Sequence, residues 1–218
     1  MQKHAFGSIL ALSISAAAFA VASPAHAAPY YVWVNYASVG TATPMLLTMH
    51  PLAGNLFTIE PQQPESSARG QNLVLGGADN THTEHVYLQM QGAGPAYWPP
   101  TGQWEPMVAG VSAMSNGTAV ITWALTGEKN PQWRAEWDVV DRNGATCWSF
   151  HNLNSPANRD VVLGVPYGNM TKGNKVVIWD NLFDATNHPD QFWCSYWVDT
   201  NGQLVPIPYV RVPVPPLF

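Results

Sequence analysis

Charge is scarce in this sequence. Asp, Glu, Lys and Arg make up 11% of its 218 residues, against roughly 25% in an ordinary globular protein. Lys and Arg number 9, form no run, and leave a net charge of -5, so a nucleic-acid partner is excluded as an expectation. Cysteine is nearly absent. Two residues, Cys147 and Cys194, are too few for a disulfide-dense scaffold or a cysteine-held metal cluster. After the N-terminal region no apolar run approaches the roughly 20 residues that a membrane-spanning helix needs. A sustained 3.6-residue period is missing too, which excludes a helical domain. No Gly-x-Ser-x-Gly elbow, His-Glu-x-x-His pair or phosphate loop occurs, and no enzyme class acquires a motif.

What is present begins with an export signal. Lys3 and His4 precede the apolar stretch Ile9 to Ala22, and Ala25-His26-Ala27 fits a cleavage site. Residues 1–27 are therefore expected to be a signal peptide and 28–218 a single domain. The expected location is secreted or periplasmic, where Cys147 and Cys194 are expected to be bonded. Aromatics are abundant, with 10 Trp and 8 Tyr. They suit a core, or ring faces that stack on sugars.

The strand signals are short and regularly spaced. Tyr30 to Tyr36, Met45 to Met49, Asn55 to Ile59, Ala119 to Trp123, Trp133 to Val140 and Phe192 to Val198 are rich in β-branched and aromatic residues. Trp104 to Val111 and the Pro-interrupted Leu204 to Val214 read as strands, and Gly92 to Gly102 as a loop. Trp133, Ala135, Trp137 and Val139 alternate onto one face. Asp141-Arg142-Asn143-Gly144 and Asp199-Thr200-Asn201-Gly202 read as hairpin turns.

One unit recurs. Gly173-x-x-Val176-x-x-Trp179, a polar loop, Gln191-Phe192-Trp193 and an Asn-Gly turn form its best copy. Gly117-x-x-Val120-x-x-Trp123, a polar loop, Gln132-Trp133-Arg134 and the earlier Asn-Gly turn form a second. A faint third runs from Gly70-Gln71-Asn72-Leu73 to His85-Val86-Tyr87. This order resembles the QxW repeat of ricin B-type β-trefoil lectins. The resemblance implies an all-β fold, a β-trefoil of three imperfect repeats of four strands each, with a six-stranded barrel capped by three hairpins. From the strand pattern alone a β-sandwich is the alternative.

The family binds galactose-type sugars, and the resemblance implies a secreted, non-catalytic carbohydrate-binding protein. Its partner would be a glycan or glycosylated cell surface, with no cofactor and no metal. In the last repeat Trp179 is the implied stacking platform. Asp180, Asp184, Asn187 and Asp190 are the candidates for hydrogen bonds to hydroxyls. Gln191 stands with them, although in the family the Gln and the second aromatic of the motif, here Gln191 and Trp193, chiefly fasten the repeat into the core. Trp123, with Glu128 and Asn130, is the fallback site. The family's early Asp maps near Ser149, and its Asn before the Gln maps to Asp190. The alternative function is a receptor- or partner-binding subunit of a multi-chain secreted toxin or adhesin, with protein partner chains. His82 and His85, close to Asp79, read as a solvated loop before a metal site.

Overall fold

Each Asn-Gly turn is locked by the aspartate that opens it. Asp141 Oδ1 accepts from the N–H groups of Asn143 (2.7 Å) and Ala145 (2.9 Å). Asp199 Oδ1 accepts from those of Asn201 (2.8 Å) and Gln203 (2.8 Å). Gly144 and Gly202 then take φ of 89° and 75°, a conformation that glycine adopts without strain. The Tyr196 hydroxyl donates to Asp141 and binds the first turn to the strand beside it.

The computed structural model describes residues 30–50, 56–63, 70–78, 84–90, 96–98, 103–105, 107–125, 129–182 and 184–208. Its strands are β1 (Tyr30–Asn35), β2 (Met45–His50), β3 (Leu56–Pro61), β4 (Leu73–Gly77), β5 (His85–Met90), β6 (Ala96–Trp98), β7 (Gln103–Glu105), β8 (Met107–Gly110), β9 (Ile121–Ala124), β10 (Trp133–Val140), β11 (Thr146–Asn152), β12 (Val161–Gly164), β13 (Val177–Asp180), β14 (Trp193–Val198) and β15 (Leu204–Pro206). The expected signal peptide, Asp79, His82, Glu128 and the end of the expected last strand lie outside the described residues. Among the described residues no helix is long and apolar enough to cross a membrane.

The all-β expectation agrees with these strands, but the trefoil of three four-strand repeats does not. Nine strands close one antiparallel barrel, in the order β11-β10-β5-β8-β9-β3-β2-β1-β14, with β14 pairing back to β11. The ring has nine strands where the trefoil implied six with three capping hairpins. The units are also unequal. β12 and β13 hang from β11 through His151↔Val162, β4 pairs with β5, and β15 extends β14. Several links in the ring are single residue pairs, such as Leu56↔Ile121 and Gln89↔Val108. Which strands complete the ring is thus decided by pairings between distant segments that no local pattern encodes. Closure also overturns the β-sandwich, whose two sheets would keep open edges.

Three tryptophans fill the barrel. Trp33, Trp133 and Trp193 are buried. Their indole N–H groups donate to the carbonyls of Leu73 (3.0 Å), Ala109 (2.9 Å) and Leu163 (3.1 Å). Each large apolar body is thereby buried without an orphaned donor. Phe57, Phe150, Leu88, Leu163 and Ile178 pack with them. A second cluster, with Val32, Val34, Phe192 and Tyr196, surrounds the Cys147–Cys194 disulfide. β10 departs from strict alternation. A register shift between Trp137 and Val139 leaves Trp133 and Ala135 in the first cluster and Val139 against the second, as a bulge does by inserting one residue. The hairpin β6–β7 occupies part of the expected loop, and the sequence reading misses β12. Strands of 3 and 4 residues are too short to display a period.

Candidate functional site

The candidate site is built by the segment from β12 to Gln191. β12 ends at Gly164, and a turn carries Val165 to Gly168 over the mouth of a cavity of about 490 Å³. β13 brings Trp179 in as one wall, and the loop after it supplies Asn187, His188 and Asp190 as another. Gly164 keeps the space between β12 and Gln191 open. A Cβ there would meet Gln191 Cγ at 3.4 Å and the Asp190 carbonyl oxygen at 3.5 Å.

The loop is shaped from within. Asp184 Oδ1 accepts from the N–H groups of Thr186 (2.9 Å) and Asn187 (3.1 Å), and its other oxygen from the Asn187 amide. These hydrogen bonds, led by that of the Asn187 side chain, hold the Asp184 carboxyl below its ordinary pKa. The Asp190 carbonyl accepts from Asn35 Nδ2 (2.9 Å) and from the Val165 N–H (3.2 Å), fixing the loop's end against β1 and β12. Burial raises the Asp190 carboxyl above the usual range, only partly offset by its own backbone N–H and by His188.

The structure divides the residues expected from sequence. Trp179, Asn187 and Asp190 line one cavity. Gln191 borders it, yet its side chain works as a clamp: Nε2 donates to the Asp180 carbonyl (2.9 Å) and Oε1 accepts from the Leu182 N–H (3.1 Å). Asp180 is not among the lining residues. Its Oδ1 accepts from Arg159 Nε (2.8 Å) and its Oδ2 from Asn116 Nδ2 (2.7 Å). These two partners, Asn116 first, lower its pKa. Arg159 also donates to the Met114 carbonyl (2.9 Å). Arg159→Ala should lower stability by about 1 kcal/mol, the scale of a partly exposed ion pair with two charge-assisted hydrogen bonds. Equilibrium urea unfolding at low and high salt would check this, with the smaller loss at high salt.

Trp123, on β9, packs beside Gly110, where a Cβ would lie 2.7 Å from its own Cβ, and it takes no part in the Trp179 cavity. Asn130 Oδ1 is occupied by Asn154 Nδ2 (2.6 Å). Ser149 lies on β11, away from the cavity, so no aspartate near it faces Trp179. The faint third copy of the repeat is out of frame. Gln71 is itself a clamp, with Nε2 donating to the Pro61 carbonyl (2.8 Å) and Oε1 accepting from the Gln63 N–H (2.9 Å). The matching strand is therefore β3, and Gln71-x-Leu73 is the signal that identifies it. Gln132 departs again, donating to the Tyr87 hydroxyl (3.1 Å).

Tyr167 was not legible as a site residue. It lines the cavity, is 91% exposed, and sets its ring 5.6 Å from Trp179 at 65°. A hydrogen-bonded Ser–His–Asp row was also missed. Ser149 Oγ and Asp160 Oδ2 each lie 2.8 Å from the two ring nitrogens of His151. Ser149 is 2% exposed and His151 1%. A nucleophile sealed in this way is out of a substrate's reach, and the row serves to tie β11 to the chain before β12. Among the described residues Asp141, Cys147 and Cys194 are grouped as metal ligands would be, but both sulfurs are spent in the disulfide.

No protein-family model matches the sequence, and no curated protein matches it in sequence. Solved structures do resemble it. The crystal structure of a designed 3-fold symmetric protein, ThreeFoil, aligns with a TM-score of 0.50 at 16% identity, over 82% of this chain and 99% of that one. A mosquitocidal holotoxin aligns at 0.51 and 13% identity, over 78% of this chain and 17% of that one. An exo-β-1,3-galactanase from Clostridium thermocellum aligns at 0.53 and 13% identity, over 81% of this chain and 30% of that one. The architecture is therefore akin to that of β-trefoil-like proteins, while its barrel closes with nine strands. At such identities the likeness is one of fold.

Proposed function

We propose that this is a secreted, non-catalytic carbohydrate-binding protein whose site is the Trp179 cavity. The observation that carries the reading is the pairing of a part-buried indole with amide and carboxyl groups across one open cleft. Sugar rings have an apolar face and a hydroxylated rim, and such a cleft meets both. Asn187 and Asp190 accept and donate at the rim, and Trp179 takes the face. The disulfide suits an oxidising compartment. One structural neighbour is a galactanase, so the non-catalytic reading rests on the site. A screen of the protein against a broad glycan array tests it, and a folded protein that binds none would overturn it.

Asp190 connects binding to stability. Its carboxyl is raised in the folded protein, so the folded state holds that proton more tightly than the unfolded state. Stability therefore falls as pH rises from the unfolded to the folded pKa, and stays lower above it. Asp190→Asn should melt higher than wild type at neutral pH, the gap closing below about pH 3, while glycan binding weakens. Melting curves across pH, with a binding titration at neutral pH, check both arms.

One observation favours the second reading, a partner-binding subunit of a multi-chain toxin or adhesin. Tyr31 and Val205, 43% and 42% exposed, flank Trp197 across β1, β14 and β15. The Tyr31 and Trp197 rings meet edge to face at 4.6 Å.

A further inference from the structure

We propose that Tyr167 makes the Trp179 cavity a reader of two linked sugar rings in preference to one. This rests on the glycan-binding reading above and adds to it a residue that the repeat motif does not contain. Among the described residues Tyr167 is the one non-glycine with positive φ, at φ 55° and ψ 23°. An L-residue takes that conformation at a cost in free energy, and glycine would take it without. The turn itself is held by backbone bonds, from the Gly168 N–H to the Val165 carbonyl (3.1 Å) and from the Asn169 N–H to the Pro166 carbonyl (3.1 Å). Neither bond uses the tyrosine side chain. At 91% exposure the ring adds little to a core. Folding therefore gives no reason for a tyrosine here, and strain kept without a folding benefit points to a site.

The ring's position says what it would touch. It stands 5.6 Å from Trp179 with 65° between the planes, so the two rings meet edge-on and both line the cavity. A pyranose lying on Trp179 within reach of Asn187 and Asp190 presents its outer edge to Tyr167. A second ring linked at that edge gains an aromatic wall, whereas a lone ring leaves it unused. The volume of about 490 Å³ lies within the roughly 300–1,000 Å³ of clefts that enclose drug-sized ligands, more than one pyranose requires. Asp190 among the lining residues and a net charge of -5 favour neutral sugars over anionic ones.

The test titrates the protein with methyl pyranosides of galactose, glucose, mannose and N-acetylglucosamine, and with the corresponding disaccharides. Wild type, Tyr167→Gly, Tyr167→Phe and Trp179→Ala are compared. The wild type is expected to bind its preferred disaccharide about tenfold more tightly than the matching monosaccharide, the scale of one added aromatic contact. Tyr167→Gly should bring that ratio close to one with an unchanged or higher melting temperature, and Tyr167→Phe should keep it. The proposal is overturned if Tyr167→Gly retains the ratio, or loses affinity equally for both sugars. A folded wild type that binds none of these probes removes the glycan reading itself, and the role of Tyr167 with it.

Discussion

Replacing Cys147 and Cys194 together by alanine should lower the unfolding free energy by about 4 kcal/mol, the loop-entropy value for a bridge spanning some fifty residues. For a protein of this size that corresponds to a fall in melting temperature of roughly 10 °C. Position adds a reason to the loop length. The barrel closes where β11 meets β14, and the register there holds two pairs, Cys147↔Cys194 and Trp148↔Trp193. Just beyond, Ile207 enters between the strands: its N–H donates to the Ser195 carbonyl (3.1 Å) and its carbonyl accepts from the Thr146 N–H (3.0 Å). The disulfide thus ties a seam that backbone pairing holds only briefly. Guanidinium unfolding of the double variant measures the effect. A loss below about 1 kcal/mol would mean that the second apolar cluster holds the seam without the bridge.

Trp179→Ala should weaken glycan binding by roughly 30- to 150-fold while the protein stays folded. That range corresponds to about 2–3 kcal/mol for an indole face covered by a sugar. The side chain lines an open cleft and is only part-buried, unlike Trp133 and Trp193, which are closed into the barrel. Stability should therefore fall by no more than about 1 kcal/mol, since little packing is lost. Isothermal titration with the strongest array ligand gives the first quantity and thermal melting the second. A large drop in melting temperature with affinity retained would identify Trp179 as a core residue and move the site elsewhere.

The sequence carried the local chemistry well. Asp-x-Asn-Gly placed both hairpin turns, because an aspartate that caps its own turn and a glycine at positive φ are properties of four adjacent residues. The first strand and β10 came out within a residue of their observed ends, since β-branched and aromatic residues mark a pleated surface wherever it packs. Trp179, Asn187 and Asp190 were legible as neighbours because one strand and one loop hold them. Asp180, from the same stretch, is not among the lining residues. Its neighbours in the chain say nothing of Arg159 and Asn116, which come from two other segments and occupy its carboxylate. Tyr167 gave no signal, because positive φ and ring exposure are tertiary facts.

By itself, then, the sequence determined the longer strands, both Asn-Gly turns and the composition of the loop after β13. These depend on contacts only a few residues apart. Tertiary structure alone decided that nine strands close the barrel, that β12 pairs with β13, and that Arg159 and Asn116 hold the Asp180 carboxylate. Each of those rests on contact between segments well apart in the chain, and within the sheet one residue of register exchanges the buried face for the exposed one.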